Sequence, residues 1–129
     1  MKYSILMPFY NRTKLLSNTV LTLPNNRDDY EVLLGIDSKC SEEEESAFYD
    51  YLSSSTHTNI RYVKVQNNGY SPTVIYNTLA GLAAADILII TNPEIAWETN
   101  VLDELDKEFN SNPDAILSVV VSVVLRIIL

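Results

Sequence analysis

Cysteine is nearly missing from this chain: Cys40 stands alone. That excludes an intramolecular disulfide and any zinc site built on paired cysteines, and it sets a reducing, cytoplasmic compartment as the expected setting. Glycine is scarce too. Gly35, Gly69 and Gly81 neither follow the first strand candidate nor keep the spacing of a dinucleotide fingerprint or a phosphate-cradling loop. The single histidine, His57, sits in a serine- and threonine-rich loop with no second ligand at metal spacing, and reads as a surface residue. Positive charge is short, with 9 Lys and Arg against 17 Asp and Glu for a net charge of -8. This balance argues against nucleic acid or an anionic membrane surface as the main partner, and a phosphate ligand would want a cation beside it. No secretion signal is legible at the start, because Pro8 and Asn11 break the first apolar run. Internal repeats are absent.

What is present suits one domain over residues 1–129, 47% hydrophobic and long enough to bury a core without staples. Tyr3 to Met7 reads as a strand ending at Pro8, and Asn11 as the N-cap of a helix carrying Leu15, Leu16, Val20 and Leu23 inward. Tyr30 to Asp37 is a second strand that closes on an acid. Ser41 with Glu44 forms a capping box for a helix starting at Glu42, with Ala47, Phe48, Tyr51 and Leu52 at helical spacing. The glutamates at its start suit the positive end of the helix dipole. Ile60 to Val65 is a third strand, stopped by Asn67-Asn68-Gly69. Ser71-Pro72 then signals a third helix, with Ile75, Leu79, Leu82 and Ala83 inward. Ile87 to Ile90 is an unbroken apolar run, the pattern of a strand covered on both faces. Asn92-Pro93 ends it and places Glu94 just beyond. Leu102, Leu105 and Phe109 mark a fourth helix.

Strands alternating with helices predict an α/β fold, a three-layer α/β/α arrangement on a mainly parallel sheet of about five strands. In such sheets ligands bind beyond the carboxyl ends of the strands. The polar corners at Pro8 to Arg12, Asp37 to Ser41, Asn67 to Ser71 and Thr91 to Trp97 would then share one rim, open to a single ligand. The last segment, Ala115 to Leu129, is apolar apart from Ser118, Ser122 and Arg126. It is too short for the roughly 20 residues of a spanning helix. Its valines and isoleucines favour a fifth strand near Ala115 to Val121, with a membrane- or partner-binding helix as the other reading. A sheet ending in an apolar tail would also favour a homo-oligomer.

The stretch Ser4-Ile5-Leu6-Met7-Pro8-Phe9-Tyr10-Asn11-Arg12 resembles the opening of family 2 glycosyltransferases, enzymes with the Rossmann-like GT-A fold. Glu31 to Ser38 is similar to that family's second strand, Asn67-Asn68-Gly69 and Asn77 to its third corner and following helix, and Ala85-Asp86 to the lead into its fourth strand. The resemblance covers most of Met1 to Ala115. It implies a nucleotide-sugar donor bound by Pro8, Tyr10, Asn11, Arg12, Asp37, Asn68, Asn77, Asn92 and Glu94, with Asp37 contacting the nucleotide base. The products would be a nucleoside diphosphate and a glycoside formed at an acceptor hydroxyl.

The chain departs from the family in three places. Where the family carries an Asp-x-Asp metal motif, this sequence has Asn92-Pro93-Glu94. A manganese or magnesium ion would then rest on Glu94, with Asn92 assisting through its amide oxygen. Tyr76 stands where a basic residue is common. The acceptor-binding half that supplies the general base has no evident counterpart here, and no catalytic residue is assigned. The other reading is therefore a truncated or degenerate domain that binds a ligand or a protein without turnover. Five of these residues also have a plainer reading. Glu94 and Asp37 would serve as helix-start or capping carboxylates, Tyr10 as packing, Asn11 as a cap, and Arg12 as a solvated arginine.

Overall fold

The computed structural model describes residues 1–11, 13–69, 71–92, 95–97, 101–114 and 125–127. Along the chain run β1 (Tyr3–Phe9), α1 (Thr13–Leu21), β2 (Tyr30–Asp37), α2 (Glu42–Ser54), β3 (Ile60–Val65), α3 (Thr73–Leu82), β4 (Ile87–Ile90), β5 (Ile95–Trp97), α4 (Val101–Ser111) and β6 (Leu125–Ile127). Strands β1 to β4 form one parallel sheet in the order β3-β2-β1-β4. β5 and β6 pair antiparallel as a separate ribbon. The expected α/β architecture therefore holds, with four strands in the main sheet rather than five. The fifth strand expected at Ala115 to Val121 lies outside the described residues.

Alternation along the strands divides the core into two layers, as the period of two requires. Tyr3, Ile5, Met7 and Phe9 of β1 and Val32, Leu34 and Ile36 of β2 pack with Leu16 and Val20 of α1, Phe48 of α2 and Val101, Leu102 and Leu105 of α4. On the other face Leu6, Leu33 and Val65 meet Ile75 and Leu79 of α3. Each fully buried leucine, isoleucine or phenylalanine contributes roughly 1.5–3 kcal/mol. Gly35 lets α3 come this close. A Cβ at that position would lie 2.3 Å from Ile75 Cγ2, so the helix rests directly on the strand backbone.

Several expectations shift. β1 continues through Pro8 to Phe9 instead of stopping. Leu6 O accepts from Thr91 N–H at 3.2 Å, so alternation turns the Pro8 nitrogen toward β4, past the point where β4 pairing ends at Leu6 and Ile90. The donor that proline lacks is not needed there. Helix α1 begins at Thr13, which leaves Asn11 outside the capping position. α3 is assigned from Thr73, and Ser71 Oγ still accepts Thr73 N–H at 3.2 Å. Ala47 and Leu82 are exposed rather than inward. β4 is not covered on both faces: Ile87 and Ile89 pack into the core, while Leu88 and Ile90 are 39% and 65% exposed. A single helix, α3, covers that face among the described residues, and it packs on β1, β2 and β3.

The amino ends of the strands are fastened by charge. Buried Glu31 accepts from Ser4 Oγ and Ala84 N–H at 2.7 Å each, and from Arg61 Nε and Nη2 at 3.0 and 2.6 Å. Arg61 also donates to Leu82 O, so the α3–β4 connection is tied to the sheet. On the opposite face Arg27 pairs with Asp29, Asp103 and Asp106, and Asp106 also accepts from Lys2 and Tyr3. This pins α4 to the start of β1.

Candidate functional site

At the carboxyl ends hydrogen bonds join the first three polar corners one to the next, and Tyr76 of α3 reaches the fourth. Register sets the frame: Pro8 lies beside Gly35, and Asp37 beside Val65. The chain turns at Asn11 with a φ of 51°, a left-handed conformation that asparagine tolerates. Asn11 Oδ1 accepts Ser41 N–H at 3.1 Å, and the Cys40 thiol lies 3.6 Å from Phe9 O. The capping box expected at α2 is thus half formed. Ser41 Oγ takes Glu44 N–H, but the Glu44 carboxylate goes to Thr13 Oγ1 at 3.0 Å instead of back to Ser41. The Thr13–Glu44 contact ties α1 to α2, and the Asn11–Ser41 contact joins the turns that precede them.

Asp37 and Asn67 form the centre of the rim, only 6% and 4% exposed. Asn67 Nδ2 donates to Asp37 Oδ2 at 2.9 Å and to Ser71 O at 3.2 Å. Its backbone N–H meets Ser38 Oγ at 2.9 Å, and its Oδ1 accepts Gly69 N–H at 3.2 Å. The other Asp37 oxygen accepts Lys39 N–H at 2.8 Å, while the Lys39 ammonium reaches Gly69 O across the gap. The strand-end acid, Asp37, is therefore locked from both sides. Above it, Tyr76 of α3 reaches the fourth corner, with its hydroxyl 2.9 Å from Thr91 O and 3.3 Å from Asn92 Oδ1. Thr91 is buried, and its Oγ1 has no hydrogen-bond partner.

The structure thus brings Pro8, Tyr10, Asn11, Asp37, Asn68 and Asn92 to one rim. Tyr10 is 49% exposed there. Asn68 is exposed and bonds only locally, accepting from Gln66. Asn77 lies on the exposed side of α3 and takes no part in the bonds between corners. Arg12 and Glu94 lie outside the described residues, as does Pro93. Sequence reasoning chose Asn68 where the buried residue is Asn67. The Asn67-x-Gly69 spacing of an Asx turn was the available signal. Tyr76, Ser38 and Lys39 were also missing from the predicted site. Burial, reinforced by Asp37 and the α2 glutamates, pushes the Cys40 thiol up, away from the thiolate form.

A divalent cation on a diphosphate asks for hard, preferably anionic, oxygens. At the fourth corner the described side chains are neutral, and Asn92 Oδ1 already meets the Tyr76 hydroxyl. Both Asp37 oxygens accept from protein N–H groups. Among the described residues no three His, Cys, Asp or Glu converge on one point. The described residues by themselves do not hold a cation, and Glu94, the expected ligand, lies outside them.

No family model matches the sequence, and no curated protein matches it. Solved structures do. TarS from S. aureus in complex with UDP-GlcNAc superposes with a TM-score of 0.69 at 14% identity, over 88% of this chain and 32% of that one. The mannosyltransferase PcManGT from Pyrobaculum calidifontis, in complex with GDP-Man and Mn2+, gives 0.67 at 18% identity, over 87% and 33%. The fold is that of GT-A glycosyltransferases. The chain spans about a third of the length of these neighbours.

Proposed function

We propose that the carboxyl rim of the sheet holds the nucleotide-sugar donor of a glycosyl transfer. The observation that carries this is the linked set of corners: three chain segments, far apart in sequence, joined by hydrogen bonds around buried Asp37 and Asn67, with the fourth met by Tyr76 of α3. Such bracing holds the rim's polar groups in fixed positions before a ligand arrives, as a binding site needs. The GT-A fold supports the same reading, since TarS and PcManGT were solved with nucleotide sugars.

In this reading the nucleoside lies against Tyr10, Asp37 and the Asn67 corner, and the diphosphate extends toward Asn92, with Arg12 and Glu94 adjacent in sequence. Transfer would break the bond between the anomeric carbon and the diphosphate oxygen and form one to the acceptor hydroxyl. The hydroxyl proton must pass to a general base within hydrogen-bond reach. The described residues supply donor binding, and the base is not assigned to any of them.

Isothermal titration with UDP-GlcNAc and GDP-mannose tests the proposal. Saturable binding that is abolished in Asp37→Ala, with the variant's fold verified by circular dichroism, is the expected result. No heat and no competition from UDP or GDP would remove the donor site.

A further inference from the structure

Strand β3 closes one side of the main sheet, with β2 as its single neighbour among the described residues. Val32 N–H donates to Asn59 O at 2.9 Å, and Ser38 N–H to Val65 O at 3.0 Å. Alternation along the strand therefore turns the backbone groups of Ile60, Tyr62 and Lys64 away from β2. Those groups have no hydrogen-bond partner among the described residues. Natural sheets blunt such an edge with proline, a bulge or an unpaired charge. β3 carries none of these. Ile60–Val65 holds no proline, and its register with β2 is unbroken. Both of its cations are engaged, Arg61 Nη2 at 2.6 Å from Glu31 and Lys64 Nζ at 3.0 Å from Glu45. Tyr62 stands at the centre of the open edge, 51% exposed, with its ring centroid 5.7 Å from Phe48 and 5.5 Å from Tyr49. On the other face Val63, Leu79 and Leu82 line a small recess along the same edge.

We propose that the outer edge of β3 pairs antiparallel with β3 of a second copy of this chain, joining two sheets edge to edge. At a net charge of -8, copies repel at long range, and contact needs a patch where charge is balanced locally. The two ion pairs make the β3 edge such a patch. One register uses every outward-facing residue: Tyr62 lies opposite its counterpart on the two-fold axis, and Ile60 lies opposite Lys64 on either side. Like charges do not face each other there, and the tyrosines meet as a cross-strand aromatic pair. Because the strands run antiparallel across the axis, the two carboxyl rims open at opposite ends of the joined sheet, and neither copy covers the other's rim. An edge of this length makes a small interface, so the dimer is a weak one, with a dissociation constant of about 10–100 µM.

Sedimentation equilibrium of the full chain, from about 5 µM to about 1 mM, tests the pairing, with a reversible monomer–dimer equilibrium as the expected result. Tyr62→Lys and Tyr62→Glu each set like charges against each other on the axis and should weaken self-association about tenfold or more. An equimolar mixture of the two should recover it, because opposite charges then meet. Circular dichroism checks that each variant is folded. A wild-type chain still monomeric at about 1 mM overturns the proposal. So does a dimer that survives in both charged variants, or one that their mixture fails to restore. Should either variant not fold, Lys64→Pro takes its place, since that N–H is unbonded within the single chain and proline removes it only from the pairing. Loss of the dimer in Lys64→Pro then supports the β3 edge, and its retention overturns it.

Discussion

The two ends of the parallel sheet use different chemistry for the same task of holding chain segments together. At the amino end, carboxylates meet guanidinium groups: Glu31 with Arg61 on one face, and Asp106 and Asp29 with Arg27 on the other. Donors and acceptors there are matched. At the carboxyl end no guanidinium is involved among the described residues: the Asp37 carboxylate is met by amide and backbone N–H groups, and Asn11, Ser38 and Tyr76 make the other links. That end also retains unspent capacity, in the unpartnered Thr91 Oγ1, the exposed Asn92 and the half-exposed ring of Tyr10. An end that is fully paired serves stability. An end braced largely by amides, hydroxyls and backbone groups, with polar atoms left over, suits a ligand.

The largest effect expected from breaking this contrast lies at the amino end. Glu31→Ala strands Ser4, Ala84 N–H and Arg61 at once, and should lower unfolding free energy by roughly 3–5 kcal/mol. Urea titration reads this, and a loss below 1 kcal/mol would show that the Arg61 contact to Leu82 O suffices. Gly35→Ala comes next, at about 1–3 kcal/mol, because the added methyl drives Ile75 off the sheet. Since Tyr76 rides on the same helix, nucleotide affinity should fall with stability, and unchanged affinity would uncouple the rim from α3.

Acid should loosen the amino end selectively. Burial alone would raise Asp106, but Lys2, Tyr3 and Arg27 outweigh it and hold the carboxyl at about 2, below its ordinary 3.8. Glu31 is likewise held down against its burial by Ala84 N–H, Ser4 and Arg61. Both groups have depressed folded values. Their stabilisation is therefore complete above the unfolded carboxylate range and is lost as pH falls from about 4 toward 2. For Asp106 the amount is roughly 1–2 kcal/mol. Thermal melts of wild type and Asp106→Asn should converge in that window, and parallel curves would contradict the assignment.

The smallest stability effect belongs to the rim. Tyr10→Ala should change unfolding free energy by less than about 0.5 kcal/mol, as exposed positions do, while weakening nucleotide binding about tenfold if the base stacks on the ring. Equal affinity of the two proteins would return Tyr10 to the role of a surface side chain.

Local patterns made much of this fold readable. The second and fourth strands fall where apolar runs and punctuation put them, Tyr30–Asp37 and Ile87–Ile90, and α2 starts after its Ser41 cap. Such features depend on neighbours within four residues, which a sequence displays directly. The order of the polar corners was legible for the same reason, since each is a strand end followed by a helix start.

Identity within a corner was not legible. Asn67 and Asn68 are equivalent as letters, and only the register of β3 against β2 buries Asn67 beside Asp37 and leaves Asn68 in solvent. The Glu44 carboxylate has a local partner in its capping box, yet Thr13, 31 residues earlier, takes it because α1 packs beside α2. Gly35 looked unremarkable until α3 lay across it, and Leu88 and Ile90 looked buried until a single helix proved to cover other strands. The sequence by itself determined the four strands of the main sheet and the helices between them, though not the β5–β6 ribbon or every boundary, because those choices rest on short-range periodicity and capping. Only the tertiary structure decided which side chain of each turn faces another, because that depends on strand register and helix placement, and these are set by contacts between residues far apart in the chain.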